Sequence, residues 1–83
     1  MADITVYGTA TCADCLRSKR FLTERRVEFD SVDLDADPEA EAYVVRLQSG
    51  ARRIPTIVFP DGSFLAEPSD AELAAKLGLT PPS

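Results

Sequence analysis

The feature that most constrains this chain is a turn. Asp61-Gly62, between Pro60 and Ser63, separates two apolar runs, Thr56-Ile57-Val58-Phe59 and Phe64-Leu65. An Asp-Gly pair so placed folds its flanks into an antiparallel hairpin, and its two central residues are expected at positive φ. Upstream, Ile4-Thr5-Val6-Tyr7 is β-branched and aromatic and reads as a strand, with Tyr7 in the core. From Ala13 to about Arg25 there is no Gly or Pro, and good helix formers predominate. Cys15, Leu16 and Leu22 are expected on the inner face of that helix, with Phe21 off the stripe. Alternation from Phe29 to Leu34 predicts a second strand. Asp37 as N-cap, Pro38 at the first turn and Glu39 and Glu41 after it open a second helix. Its apolar residues Ala40, Tyr43, Val44 and Leu47 recur at helical spacing, and Gly50 closes it. Ser69 and Glu72 form a capping box for a third helix, which stops at Gly78-Leu79. The order is β-α-β-α-β-β-α. It predicts an α/β fold, a four-stranded mixed sheet flanked by three helices, its first βαβ unit parallel and right-handed.

Eighty-three residues leave room for one domain, 1–83, with Thr80–Ser83 as a frayed tail. No apolar stretch reaches the roughly 18 residues of a membrane span, and the N-terminus lacks the pattern of a signal peptide. A net charge of −5 argues against DNA or an anionic membrane as partner. The charge is unevenly spread, with five basic residues and one acid from Arg17 to Arg26, then seven acids and no base from Glu28 to Glu41. Two solvated faces of opposite sign account for this pattern, and a steering surface for protein partners is the other reading. There is no histidine, so the usual general base and the commonest metal ligand are missing.

Chemistry therefore falls to Cys12-Ala13-Asp14-Cys15, where a polar turn hands over to a helix. At a helix N-terminus the unpaired N–H groups and the dipole favour an anion, and the thiolate is the nucleophilic form of cysteine. One turn further along the same face, the second sulfur can attack a mixed disulfide on the first. A structural disulfide across so short a loop would add little stability, and tetrahedral zinc needs four ligands, which this chain could reach only with borrowed ones. Redox chemistry is the favoured reading. A second feature is Ile54-Pro55-Thr56 ahead of the third strand. A trans Pro55 simply starting that strand is one possibility. A cis bond, the rarer form, would turn the Ile54 backbone toward the cysteine loop and offer it to an extended thiol substrate.

Taken together, the first strand, the Cys-x-x-Cys opening a helix, Ile54-Pro55-Thr56 and the Asp-Gly hairpin resemble the glutaredoxin family over essentially the whole chain. The resemblance implies a thioredoxin-like fold, a cis Pro55, Cys12 as nucleophile and Cys15 as resolving cysteine. Ala13-Asp14 stands where common glutaredoxins carry Pro-Tyr, Thr9 replaces a basic residue, and Ala66-Glu67-Pro68-Ser69-Asp70 replaces a Gly-Gly-Cys-type segment. Asp61-Gly62-Ser63 with Pro68-Ser69 is similar to the mycoredoxins, actinobacterial members that act on mycothiol mixed disulfides.

The implied activity is thiol–disulfide exchange on protein disulfides or on mixed disulfides with a low-molecular-weight thiol. No bound cofactor or metal is expected. Mycothiol or glutathione would be the reductant, a thiol disulfide reductase the partner, the cytoplasm the location and the monomer the working state. A redoxin feeding ribonucleotide reductase, and a non-enzymatic carrier of metal or an iron–sulfur cluster, are the alternatives. Around the cysteines, Thr9 and Thr11 either donate hydroxyl hydrogen bonds to Cys12 or satisfy the turn. Arg52 and Arg53 are either a solvated basic pair, or one of them, Arg53, meets a carboxylate or polar group of the thiol. Asp14 opposes a neighbouring thiolate.

Overall fold

The computed structural model describes residues 3–79, so the tail read at 80–83 lies outside the described residues. The elements are β1 (Thr5–Gly8), α1 (Ala13–Glu24), β2 (Asp30–Asp33), α2 (Pro38–Leu47), β3 (Thr56–Val58), β4 (Phe64–Ala66) and α3 (Asp70–Leu77). They form a four-stranded sheet in the order β2-β1-β3-β4, in which β1 is parallel to β2 and β3 is antiparallel to both β1 and β4. Element order and sheet type agree with the expectation from sequence.

The starts and stops of the helices explain why. The Asp37 carboxylate accepts the Ala40 N–H at 3.1 Å, with Pro38 at the first position of α2. Ser69 and Glu72 satisfy each other's orphan amides at 3.1 and 2.9 Å. Gly78 turns left-handed at φ 71°, so that the Leu79 N–H reaches Ala74 O at 2.8 Å and the Gly78 N–H reaches Ala75 O. Gly50 does close α2, its N–H donating to Val45 O at 2.8 Å. The helix proper ends at Leu47, and Ser49 already takes the left-handed conformation at φ 55°.

Two expectations need correction. In the β3–β4 turn only Gly62 is left-handed, at φ 86°, while Asp61 is not. Proline explains it: the ring of Pro60 holds φ near −65°, so Pro60-Asp61 become the central pair of a type I turn and Gly62 the bulge that follows. The Gly62 N–H to Phe59 O and Phe59 N–H to Ser63 O bonds, both 2.9 Å, have that pattern. On α1, Leu16 is 51% exposed whereas Phe21 is 6% exposed. The buried arc is set by Cys15, Ser18 and Leu22. Including Ser18 moves its centre away from Leu16 and toward Phe21, which a count of apolar residues alone cannot detect.

Ile4, Val6, Phe21, Leu22, Ile57, Phe59, Leu73 and Ala74 make the core cluster, drawn from the β1–β3 centre, α1 and α3. Successive strand residues face opposite sides. Tyr7, next to Val6, therefore meets Tyr43 of α2 on the other face, with ring centroids 5.7 Å apart. Tyr7 is only half-buried there. Among the described residues no helix is long and apolar enough to cross a membrane.

Candidate active site

β1 ends at Gly8, three turn residues follow, and Cys12 becomes the N-cap of α1. Its Sγ accepts the Cys15 N–H at 3.1 Å, and its own N–H donates to Thr9 O at 3.4 Å. A sulfur therefore occupies the place where a serine or aspartate oxygen usually caps a helix. Both cysteines are free thiols, Cys12 half-buried and Cys15 fully buried. Burial first, and then the hydrogen bond with Cys12, push the Cys15 thiol up to about 11, while the Thr9 N–H and the Lys19 charge act in the opposite direction. At neutral pH Cys15 keeps its proton.

Gly8 has a role that sequence reading missed. A methyl group built on it would overlap Cys15 Sγ. The absent side chain is what lets the end of β1 lie directly on the buried thiol.

The pairing of Tyr7 with Thr56 brings the start of β3, and Pro55 before it, to the sheet end from which the cysteine turn departs. The Ile54–Pro55 bond is cis. Pro55 is buried, and its carbonyl accepts the Glu67 N–H at 2.8 Å. The Arg53 carbonyl accepts the hydroxyl of Thr56, which in turn accepts Gln48 Nε2 at 2.7 Å. Ile54 is half-buried between these two tethered neighbours. Arg52 turns away to Asp35 and Glu41, at 3.3 and 3.7 Å. Arg53 is exposed. Thr9 is buried and serves the site through its backbone, whereas Thr11 is exposed.

Arg17 carries no site signal in the sequence, where it lies inside a basic run that reads as a solvated face. It donates to Asp70 Oδ1 at 2.6 Å and to Pro68 O at 2.9 Å, and its Nε lies 3.7 Å from Asp14. The Asp14–Arg17 spacing was visible in the sequence; the tie to a carboxylate 53 residues away was not. Among the described residues no group of three or more His, Cys, Asp or Glu stands together to hold a metal.

A mixed sheet in this order, carrying three helices and a cysteine as the cap of the first, defines a protein of the thioredoxin-like class. The sequence model of the glutaredoxin family matches residues 4–65. A Mycobacterium tuberculosis protein assigned to the glutaredoxins is 42% identical over 76 residues, 92% of this chain and 90% of its own length. Mycoredoxin 1 of Corynebacterium glutamicum is 34% identical over 77 residues, 93% and 95% of the two chains. Among solved structures, a glutaredoxin from Archaeoglobus fulgidus is similar with a TM-score of 0.75 at 25% identity, covering 93% of this chain and 87% of that one. The chain belongs to the glutaredoxin family, and with it to the thiol–disulfide oxidoreductases.

Proposed function

We propose that this protein reduces mixed disulfides formed between proteins and a low-molecular-weight thiol, and protein disulfides, with Cys12 as the attacking sulfur and Cys15 as the resolving one. The observation that carries the reading is the asymmetry of the pair. Cys12 is half-buried and its Sγ receives an N–H at the head of α1, while Cys15 is fully buried and protonated one turn inside. In the first step Cys12 loses its S–H proton to solvent and bonds to one sulfur of the substrate, and the other sulfur leaves as a thiolate that takes a proton from solvent. Cys15 then bonds to Cys12 Sγ and expels the captured group, or a second small thiol bonds to the sulfur of a captured small thiol and expels Cys12 as a thiolate. The product is either a Cys12–Cys15 disulfide, which small thiols reduce, or free Cys12 and the disulfide of two small thiols, and in a reducing cytoplasm a thiol disulfide reductase returns that small disulfide to thiol.

Ile54 and Pro55 form the opposite wall. With the Arg53 and Pro55 carbonyls occupied within the protein, the Ile54 main chain is the group this loop can offer an extended thiol substrate. Thr11 and Arg53 stand exposed as rim contacts, and Thr9 braces the turn from behind. Likeness to a mycoredoxin supports mycothiol over glutathione as the thiol.

The test is turnover of one protein mixed disulfide made in turn with mycothiol, glutathione and bacillithiol. Mycothiol should be the fastest by about tenfold, Cys12→Ser inactive, and Cys15→Ser active only where excess small thiol resolves the intermediate. Mass spectrometry should find the captured group on Cys12, and capture on Cys15 would overturn the assignment.

A further inference from the structure

Pro55 has no N–H, and its carbonyl is taken by the Glu67 N–H. The peptide unit that joins Arg53 to Ile54 therefore decides what this loop presents to a substrate. That unit is trans and planar, so its carbonyl and its N–H point in opposite directions. Thr56, fully buried at the start of β3, donates its hydroxyl to the Arg53 carbonyl. With the carbonyl held inward, the Ile54 N–H turns away from the buried hydroxyl, to the side where Arg53 is exposed and Ile54 only half-buried.

A hydroxyl has one proton, and that of Thr56 is spent on Arg53. A second partner has to be a donor, since an acceptor would compete for the same proton. Gln48 meets this demand. It caps the C-terminal end of α2, and its Nε2 donates to Thr56 Oγ1 at 2.7 Å. The other half of the amide gains nothing, because Oε1 is buried and finds no partner among the described residues. A buried carbonyl left unpaired is a standing cost, which an apolar side chain of similar length would avoid. The proton it donates, rather than the stability it adds, explains an amide at this position.

We propose that Thr56 and Gln48 are positioning residues of the substrate wall, fixing the Arg53–Ile54 peptide so that the Ile54 N–H is aimed at a main-chain carbonyl of the captured thiol or peptide. The inference rests on the reading that the Ile54 main chain meets the substrate, and adds what aims it. The chain of donors runs from Gln48 Nε2 to Thr56 Oγ1 to the Arg53 carbonyl, each bond polarising the next. Removing the Thr56 hydroxyl frees the peptide to turn, whereas removing the Gln48 amide only weakens its hold.

Three probes separate aim from chemistry. A mixed disulfide of glutathione with a cysteine peptide carries amide carbonyls beside its sulfurs. The same probe with esters for the amides flanking the peptide cysteine carries weaker acceptors, and Ellman's reagent carries no main chain. Thr56→Val keeps the side-chain shape. It should raise KM for the amide probe about fivefold, the worth of one oriented hydrogen bond, with kcat nearly unchanged. The first release of thionitrobenzoate from Ellman's reagent, which reports attack by Cys12, should not slow with it. Thr56→Ser should return KM to the parent value. Gln48→Met should raise KM by a smaller factor and leave the urea midpoint nearly unchanged, because the unpaired oxygen departs with the donor. The parent should bind the ester probe several-fold more weakly than the amide probe, and Thr56→Val should narrow that gap. A parent that treats the two probes alike would refute the reading of Ile54 itself. A parent that separates them, with Thr56→Val keeping the same gap and the same KM, would overturn the positioning role alone. A loss in Thr56→Val that Thr56→Ser does not repair, or that slows Ellman's reagent equally, would also overturn it.

Discussion

The turn between β1 and α1 and the wall built from residues 53–70 meet at one end of the sheet, but they are held on different length scales. In the turn, Cys12 N–H reaches Thr9, Cys15 N–H reaches Cys12, and Gly8 lies against Cys15, so every contact is made within one short stretch of chain. The wall is tied across longer stretches of chain. Gln48 holds Thr56, Glu67 holds Pro55, and Arg17 holds Pro68 and Asp70 across 51 and 53 residues. The turn carries the sulfur chemistry and follows from local sequence. The wall shapes what the sulfur meets, and it exists only once the fold has formed. Damage to the turn should therefore cost stability and chemistry together, whereas damage to the wall should cost substrate capture.

Gly8→Ala gives the largest effect expected on the turn side. Its methyl must displace Cys15 Sγ in a fully buried position, and overpacking of this kind costs about 1–3 kcal/mol. Thermal unfolding should show a drop of several degrees, at about 4–8 °C per kcal/mol for a domain of this size. Gly8→Ala combined with Cys15→Ala should recover most of that loss, because the clashing atom is gone. A double variant no better than the sum of the two singles would mean that Gly8 is needed for its backbone freedom instead.

On the wall side, Arg17→Met removes the ties to Asp70 and Pro68 while keeping the stem. The guanidinium is about 38% exposed, so the ion pair is screened and the loss is nearer that of ordinary hydrogen bonds, about 1 kcal/mol by urea unfolding. Its sharper signature should be kinetic. KM for a mixed disulfide should rise several-fold with kcat nearly unchanged, because the wall moves and the sulfurs do not. A fall in kcat with KM unchanged would place Arg17 in the chemistry and erase the distinction between the two regions.

The same division decides what could be read from the sequence. Helix caps, the capping box, the Schellman stop and the cysteine spacing are all local patterns, and they led to the element order and the cysteine pair. The hairpin was legible too, although its turn type was not, because Pro60 overrode the usual meaning of Asp-Gly. Phe21 was misplaced because a buried serine, Ser18, takes part in setting the inner face of α1. Arg17, Gln48 and Glu67 carry no local signal; each matters through a partner that only folding brings near. Gly8 lies between these cases, near Cys15 in sequence but recognisable only when the end of β1 is seen to rest on a sulfur.

The smallest effect belongs to Asp14, where the two regions touch. From sequence alone its carboxylate should hinder an anionic Cys12, two residues away. In the structure its side chain is 61% exposed, and Arg17 Nε stands 3.7 Å off with the Asp70 carboxylate on its far side. Solvent screens the charge and the guanidinium offsets part of what remains. Asp14→Asn should therefore change the rate of Cys12 attack on Ellman's reagent by less than about twofold. The variant in Arg17→Met is the sharper comparison. With the guanidinium removed, Asp14 acts unopposed, and its replacement by Asn should now speed the reaction by more than it does in the parent. Equal factors in both backgrounds would show that Arg17 does not shield Asp14, and that the two regions meet there without influencing each other.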